Sequence, residues 1–310
     1  MTRNEPVRLA VQLQPQHATY PQIRDAVLRM EDLGVDVIMN WDHFFPLSGD
    51  PDGLHFEAWT MLGAWAEQTE RVEFGTLVNC NSYRNADLQA DMARTLDHVS
   101  AKGGDVGRFI FGTGSGWFER DYDEYGYEFG TVGSRLDDLA EALPRVKARW
   151  AELNPAPTRE IPIMIGGKGE QKTLRLVAEH ADIWHSFVRP HEIGHKVEVL
   201  KRWGEKVGRD VSEITISNEL SRRGLDDEHA DALHNAGVRL FTLGISGPAY
   251  DDTAVRHWLA WRDRRNEEAG ADAARARIPL TGRQPRAGAF SPAGERVRSG
   301  SRPRRRSTAH

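Results

Sequence analysis

A single cysteine, Cys80, stands among 310 residues, so an internal disulfide framework and any multi-cysteine metal site are excluded. Such a chain suits a reducing compartment, and the thiol reads as a partly buried, inert group rather than a nucleophile. No stretch approaches the roughly 18 consecutive apolar residues of a membrane-spanning helix. Residues 1–10 have no secretory apolar core either. A cytoplasmic protein that makes no membrane contact is expected. Metal dependence is not expected, because the first strand offers Gln12-Leu13-Gln14 where a metallohydrolase barrel would want a His-x-His pair.

Charge is short on one side in each part of the chain. Residues 271–310 hold ten arginines against Asp272 and Glu295, a balance of +8 in a chain of net charge -5, so the preceding residues carry -13. An acidic body is not built for nucleic acid. The basic segment sits among Gly, Ser, Pro and Ala with almost nothing to bury, and it reads as disordered from residue 267 onward. Its only expected contact with RNA or anionic surfaces is weak counterion release.

What the chain does have is alternation. Short β-branched runs at 7–13, 35–40, 72–78, 109–114, 161–165, 181–185, 214–218 and 238–243 are separated by stretches of helical period. The first helix should open at Thr19 with Pro21 in its first turn, bury Ile23, Ala26, Val27, Met30 and Leu33, and stop at Gly34. Later helices are expected near 56–68, 134–153, 171–180, 193–207, 227–236 and 252–264, with another between strands three and four. Eight strands and eight helices in strict order predict an α/β fold, a (β/α)8 TIM barrel over residues 1–266. Its active site would lie where strands end and βα loops begin.

Several strand ends are chemically loaded. Strand two ends in Trp41-Asp42-His43, where a carboxylate beside an imidazole can fix its tautomer and make His43 a proton donor or acceptor. Structural hydrogen bonding explains the pair equally well until its position at the mouth is counted. Strand five runs through Gly166, Gly167, Lys168 and Gly169 into a helix N-terminus, a combination that suits a phosphate. After strand four, Gly112-Thr113-Gly114-Ser115-Gly116 fails both the dinucleotide fingerprint and the nucleophile elbow, but its glycines leave room for a flat ring. Trp117 and Phe118 would shape a substrate pocket next to it, or simply pack a long loop onto the barrel.

Taken together, Asp42-His43-Phe44, the 81–85 run Asn-Ser-Tyr-Arg-Asn, Gly-Thr-Gly-Ser-Gly-Trp after strand four and Ile165-Gly166-Gly167 resemble the luciferase-like monooxygenase superfamily, in particular its coenzyme F420-dependent oxidoreductases. The resemblance covers residues 8–264. It implies a deazaflavin at the barrel mouth, hydride transfer to or from a small-molecule substrate, and His43 handling a proton. Asp42 and His43 would border the redox face, with Trp41 beside the substrate. Thr76, Leu77, Val78 and Asn79 would form a strand-three bulge, often with a non-proline cis peptide, behind the ring. Gly114 and Ser115 would leave room for that ring, and Gly166 to Gly169 would take the phosphate with His185 and Ser186 close by. A homodimer and a flavin or F420 reductase are the implied partners. FMN with oxygen chemistry, or a catalytically silent cofactor-binding barrel, are the alternatives. The chain departs from the family in having Ser115 where the sugar-phosphate enzymes have an acidic residue, Ala86 for a common proline, and an expanded link at 100–108.

Overall fold

Alternate strand residues face opposite sides of a sheet, and that rule separates the two cores of this protein. The computed structural model describes residues 5–104, 106–220 and 225–276. The chain runs β1 (Arg8–Leu13), α1 (Tyr20–Leu33), β2 (Val37–Asn40), α2 (Ala58–Gln68), β3 (Glu73–Thr76), β4 (Asn79–Cys80), α3 (Ala86–Ala101) and β5 (Phe109–Gly114). It continues through α4 (Glu119–Tyr125), α5 (Val132–Glu152), β6 (Ile163–Gly166), α6 (Thr173–His180) and β7 (Ile183–Ser186). The last elements are α7 (Pro190–Val207), β8 (Thr215–Glu219), α8 (Asp227–Asn235), β9 (Val238–Ile245) and α9 (Thr253–Ala276).

The ladders joining these strands are parallel, and β1 pairs with both β2 and β9, so the first and last strands meet. Because β3 pairs with β2 and β5 while β4 pairs with β5, these two short segments are halves of one barrel strand. The ring of eight strand positions is the predicted (β/α)8 barrel. Leu9, Val11 and Leu13 of β1 face the helices, whereas Ala10 turns inward with Val37, Met39, Ile110, Met164, Ile183 and Leu240 to fill the barrel. Polar residues replace this filling at both ends, with Arg8 and Glu73 paired at 2.7 Å at the N-terminal end and Gln12 toward the mouth.

Local chemistry sets the element ends. Gln22 Oε1 accepts the Thr19 N–H at 2.8 Å at the start of α1, and Gly34, at φ 86°, closes it in the left-handed region. Ile23, Ala26, Val27 and Met30 are buried as expected, but Leu33 is only partly covered. Buried Glu31 completes that face instead. One of its carboxylate oxygens accepts the backbone N–H groups of Glu70, Arg71 and Val72, which pins the entry to β3. At the N-terminal end of the barrel, the expanded 100–108 link is tied down by Arg108. Its guanidinium donates to the carbonyls of Ala66, Thr69, Val72 and Ser100 and to the Thr69 hydroxyl.

Three features differ from the strand-and-helix reading. The third strand is broken rather than continuous over 72–78, and the Leu77-Val78 peptide within the break is cis, as the resemblance implies for this position. The loop after β5 contains α4, which its aromatic and acidic composition does not announce. Helix α9 passes the expected end at Arg264 and runs to Ala276, with the Asn266 side chain bonded to both the N–H and the C=O of Val7 at 2.7 and 2.9 Å. Of the segment expected to be disordered from residue 267 onward, residues 267–276 instead continue this helix, and the rest, from residue 277, lies outside the described residues. Among the described residues no helix is long and apolar enough to cross a membrane.

Candidate active site

A cavity of about 480 Å³ opens at the C-terminal ends of the strands. Of the residues expected there, Trp41, Asp42, His43, Leu77, Val78 and Asn79 line it. So do Gly114, Ser115, Trp117, Gly166, Gly167 and His185, contributed by β5, β6, β7 and the loop after β5. Thr76 does not. It is buried in the barrel wall, its hydroxyl donating to the Gly112 carbonyl at 2.6 Å. Phe118 packs edge-on against His43 from behind, at 5.5 Å between ring centroids, and Ser186 is buried outside the lining. Lys168 and Gly169 are exposed on the turn just beyond it.

His43 is held by a carboxylate other than the one next to it in sequence. Its Nδ1 lies 2.6 Å from Oδ2 of Asp121, a fully buried residue in the first turn of α4. Tyr83 donates to the same oxygen at 2.8 Å, and the Phe44 N–H donates to Asp121 Oδ1 at 3.0 Å. Burial pushes the Tyr83 phenol well above its ordinary range, so it remains a donor. An acceptor-only carboxylate calls for the proton on Nδ1, which leaves Nε2 as the nitrogen available for proton exchange. Nε2 has no hydrogen-bond partner among the described residues.

The expected Asp42–His43 pairing is therefore corrected. The Asp42 carboxylate turns away to receive both Arg84 Nη1 at 2.6 Å and Arg84 Nη2 at 3.0 Å, with the Cys80 N–H at 3.0 Å. Glu57 takes the other side of the same guanidinium at 2.7 Å. Burial raises the Asp42 carboxyl, opposed by Arg84 and the Cys80 N–H. Burial also works against the Arg84 charge, yet Asp42 and Glu57 together hold it firmly protonated. This clamp shapes the β4 side of the cavity and takes no part in holding the imidazole.

At the cavity floor Val78 faces two glycines. A Cβ placed on Gly114 would stand 2.9 Å from Val78 Cγ2, and one on Gly166 would stand 3.2 Å from Val78 Cγ1. Gln12 fastens the break in the third strand, its Nε2 donating to the Leu77 carbonyl at 2.7 Å. On the side of β7, His185 Nδ1 meets the Ser217 hydroxyl at 2.9 Å while its buried Nε2 has no partner. Burial lowers the His185 pKa to about 4, so the ring is neutral near pH 7. A site with an orphaned ring nitrogen and a glycine-bordered floor fits a flat heteroaromatic cofactor.

The sequence profile of the luciferase-like monooxygenase family matches residues 5–290. The chain belongs to the luciferase-like monooxygenase family. Members of this flavin- or F420-dependent oxidoreductase family use F420 or FMN. An uncharacterised protein of Mycobacterium tuberculosis is 27% identical over 233 residues, covering 68% of this chain and 79% of the relative. A second protein of that organism, provisionally named a coenzyme F420-dependent oxidoreductase, is 27% identical over 280 residues, covering 80% of this chain and 75% of its own. Among solved structures, an F420-dependent secondary alcohol dehydrogenase in complex with an F420-acetone adduct superposes with a TM-score of 0.70 at 16% identity, covering 82% of this chain and 97% of that one. This last likeness concerns the fold.

Within this luciferase-like barrel, sequence reading missed Asp121, Tyr83 and Arg84 as site-forming residues, together with the lining residues Gln12, Gln14 and Phe187. Gln12 and Gln14 did leave a signal, since polar residues two apart at the end of an apolar strand share its inward face. Asp121 left none, because nothing local connects it to His43. Cys80 lines the cavity, but burial raises its thiol and the Tyr122 hydroxyl sits 3.2 Å from it, in keeping with an inert group.

Proposed function

We propose that this protein is a coenzyme F420-dependent oxidoreductase that passes hydride between the deazaflavin and a small organic substrate, with His43 giving or taking the proton. The observation that carries this reading is the His43–Asp121 contact. It orients an imidazole on the wall of a glycine-floored cavity with Nε2 left available. The mycobacterial relative's name and the resemblance at residues 41–44, 81–85 and 112–117 support F420 over FMN.

When bound, the deazaflavin supplies a two-electron hydride carrier that is nearly inert to oxygen. Val78, Gly114 and Gly166 would support its ring, and His185 Nε2 would meet one of its polar atoms. Gly167, Lys168 and Gly169, leading into α6, would hold its phosphate. Asp121 keeps the His43 ring from rotating, so the proton moves at one atom. The packed aromatic loop behind that ring keeps bulk water off the pair.

The test is anaerobic titration of the full-length protein with reduced F420 and reduced FMN in turn, followed by oxygen. Tight F420 binding, no oxygen uptake and oxidation or reduction of the cofactor by one of a panel of alcohols, aldehydes and enones are expected. His43→Ala should then lower turnover by about 10²–10⁴-fold without weakening cofactor binding. Oxygen consumption with FMN and no affinity for F420 would make the protein a monooxygenase served by a separate reductase. Tight F420 binding with no redox change across the panel would make it a silent barrel.

A further inference from the structure

We infer that the substrate is a neutral aromatic compound gripped at the cavity rim by Trp117 and Phe187; the inference rests on the reading of this cavity as the reaction site. These two rings are 63% and 68% exposed, and both line the cavity. They follow β5 and β7, so they stand on either side of β6 and its Gly166-Gly167 turn. Each leans edge-on against one of the cavity histidines. Trp117 meets His43 at 5.6 Å between centroids and 76° between planes, and Phe187 meets His185 at 4.9 Å and 90°. An edge-on contact fixes a ring without covering both of its faces, and a free face is what a planar ligand stacks on.

Single exposed aromatics are ordinary, but two at the lip of a concave site with polar groups at its base are the usual dress of a small-molecule pocket. Size puts the substrate at that lip. About 480 Å³ lies in the lower half of the range for ligand sites, so a cofactor ring on the Val78 floor leaves the substrate to extend outward between the aromatics. Charge selects against anions. Among the described residues lining the cavity none is Lys or Arg, and its two carboxylates, Asp42 and Glu219, are both already engaged. A carboxylate or phosphate substrate would lose hydration there without a counter-charge from the described lining. A neutral ketone or alcohol would lose little, and its oxygen can reach toward His43.

Equilibrium dialysis on the full-length protein, with and without F420, tests this with three probes: 2-acetylnaphthalene, cyclohexyl methyl ketone and 2-naphthoate. The neutral aromatic ketone is expected to bind most tightly. Trp117→Leu and Phe187→Leu should each weaken it by about three- to tenfold, while F420 affinity stays within about twofold. Trp117→Phe keeps an aromatic face and should retain most of the affinity. Equal or tighter binding of 2-naphthoate would overturn the inference. So would unchanged ketone affinity in both leucine variants, or a loss in Trp117→Phe as large as in Trp117→Leu. Aromatic selectivity in a protein that does not bind F420 would support the rim contact while removing the cofactor reading. Turnover with F420 but no preference for the aromatic ketone would remove the rim contact alone.

Discussion

His43 and Asp121 lie 78 positions apart in the chain and 2.6 Å apart in the fold. The imidazole comes from the end of β2 and the carboxylate from a short helix after β5, so two separate βα loops must be in place before the proton-handling group has a fixed orientation.

Replacing Asp121 with Asn is therefore expected to lower turnover on the order of 10²-fold, since a neutral amide no longer fixes the proton on Nδ1. Cofactor affinity should hold within a few-fold. Steady-state rates together with a cofactor fluorescence titration check this. Asp42→Asn, by contrast, should disturb folding and cofactor affinity as much as turnover, and a purely kinetic defect there would contradict the assignment of the two carboxylates.

Arg84 and Asp42 form a pair with side chains only 11% and 1% exposed. Removing the guanidinium alone, as in Arg84→Met, leaves a buried carboxylate without its counter-charge and should cost about 3–5 kcal/mol of stability. Urea denaturation of the variant gives the number. The double variant Arg84→Met with Asp42→Asn should recover a large part of the loss, because the fully buried charge is then gone and only the partly exposed Glu57 has lost its partner.

Acid should weaken the fold through two histidines. Burial lowers both His185 and His55 to about 4, and His55 Nε2 accepts the Trp41 indole N–H at 3.0 Å. Between pH 6.5 and 4 the unfolded chain takes up protons on these rings that the folded protein refuses, so stability falls as pH falls through that window. Each ring contributes up to about a tenfold change in the folding constant per pH unit. Urea midpoints at pH 7, 6 and 5 should decline, and His185→Asn should flatten the decline relative to the parent protein. An identical slope in the variant would show that His185 is not buried in its neutral form.

Two neighbouring glycines should separate structure from binding. A methyl group on Gly112 would run into the Thr76 carbonyl, which is backbone and cannot yield, so Gly112→Ala should fail to give folded protein. On Gly114 the methyl meets only a Val78 methyl at 2.9 Å. Gly114→Ala should fold and lose affinity for the cofactor on the order of tenfold, as expected when a side chain occupies space a ligand needs. Circular dichroism and cofactor titration distinguish the two outcomes.

How far these features were readable from sequence follows from the range of each interaction. The barrel was legible because its signals are local: Thr19, Pro21 and Gly34 frame α1, and β5 is found at the residues expected, Phe109 to Gly114. The break at Leu77 and Val78 was hidden within an apolar run that reads as one strand, and only the family resemblance anticipated it. Helix α4 was missed because Glu119 to Tyr125 spans seven residues with charges on most of them and too little length for a hydrophobic period to register. The Asp42-His43 dipeptide misled for a geometric reason. Both side chains line the cavity, but Arg84 takes the Asp42 carboxylate and Asp121 takes the His43 ring, so adjacency in the chain brings no contact between them.

Asn266 grips both backbone groups of Val7, and Val7 precedes β1 at the end of the barrel farthest from the cavity. At Asn266 the final helix is thus fastened to the underside of the protein, at the end of the barrel opposite the cavity. A fluorophore or surface anchor attached at an exposed position beside that contact, such as Glu267, would sit away from His43 and leave the mouth facing solution.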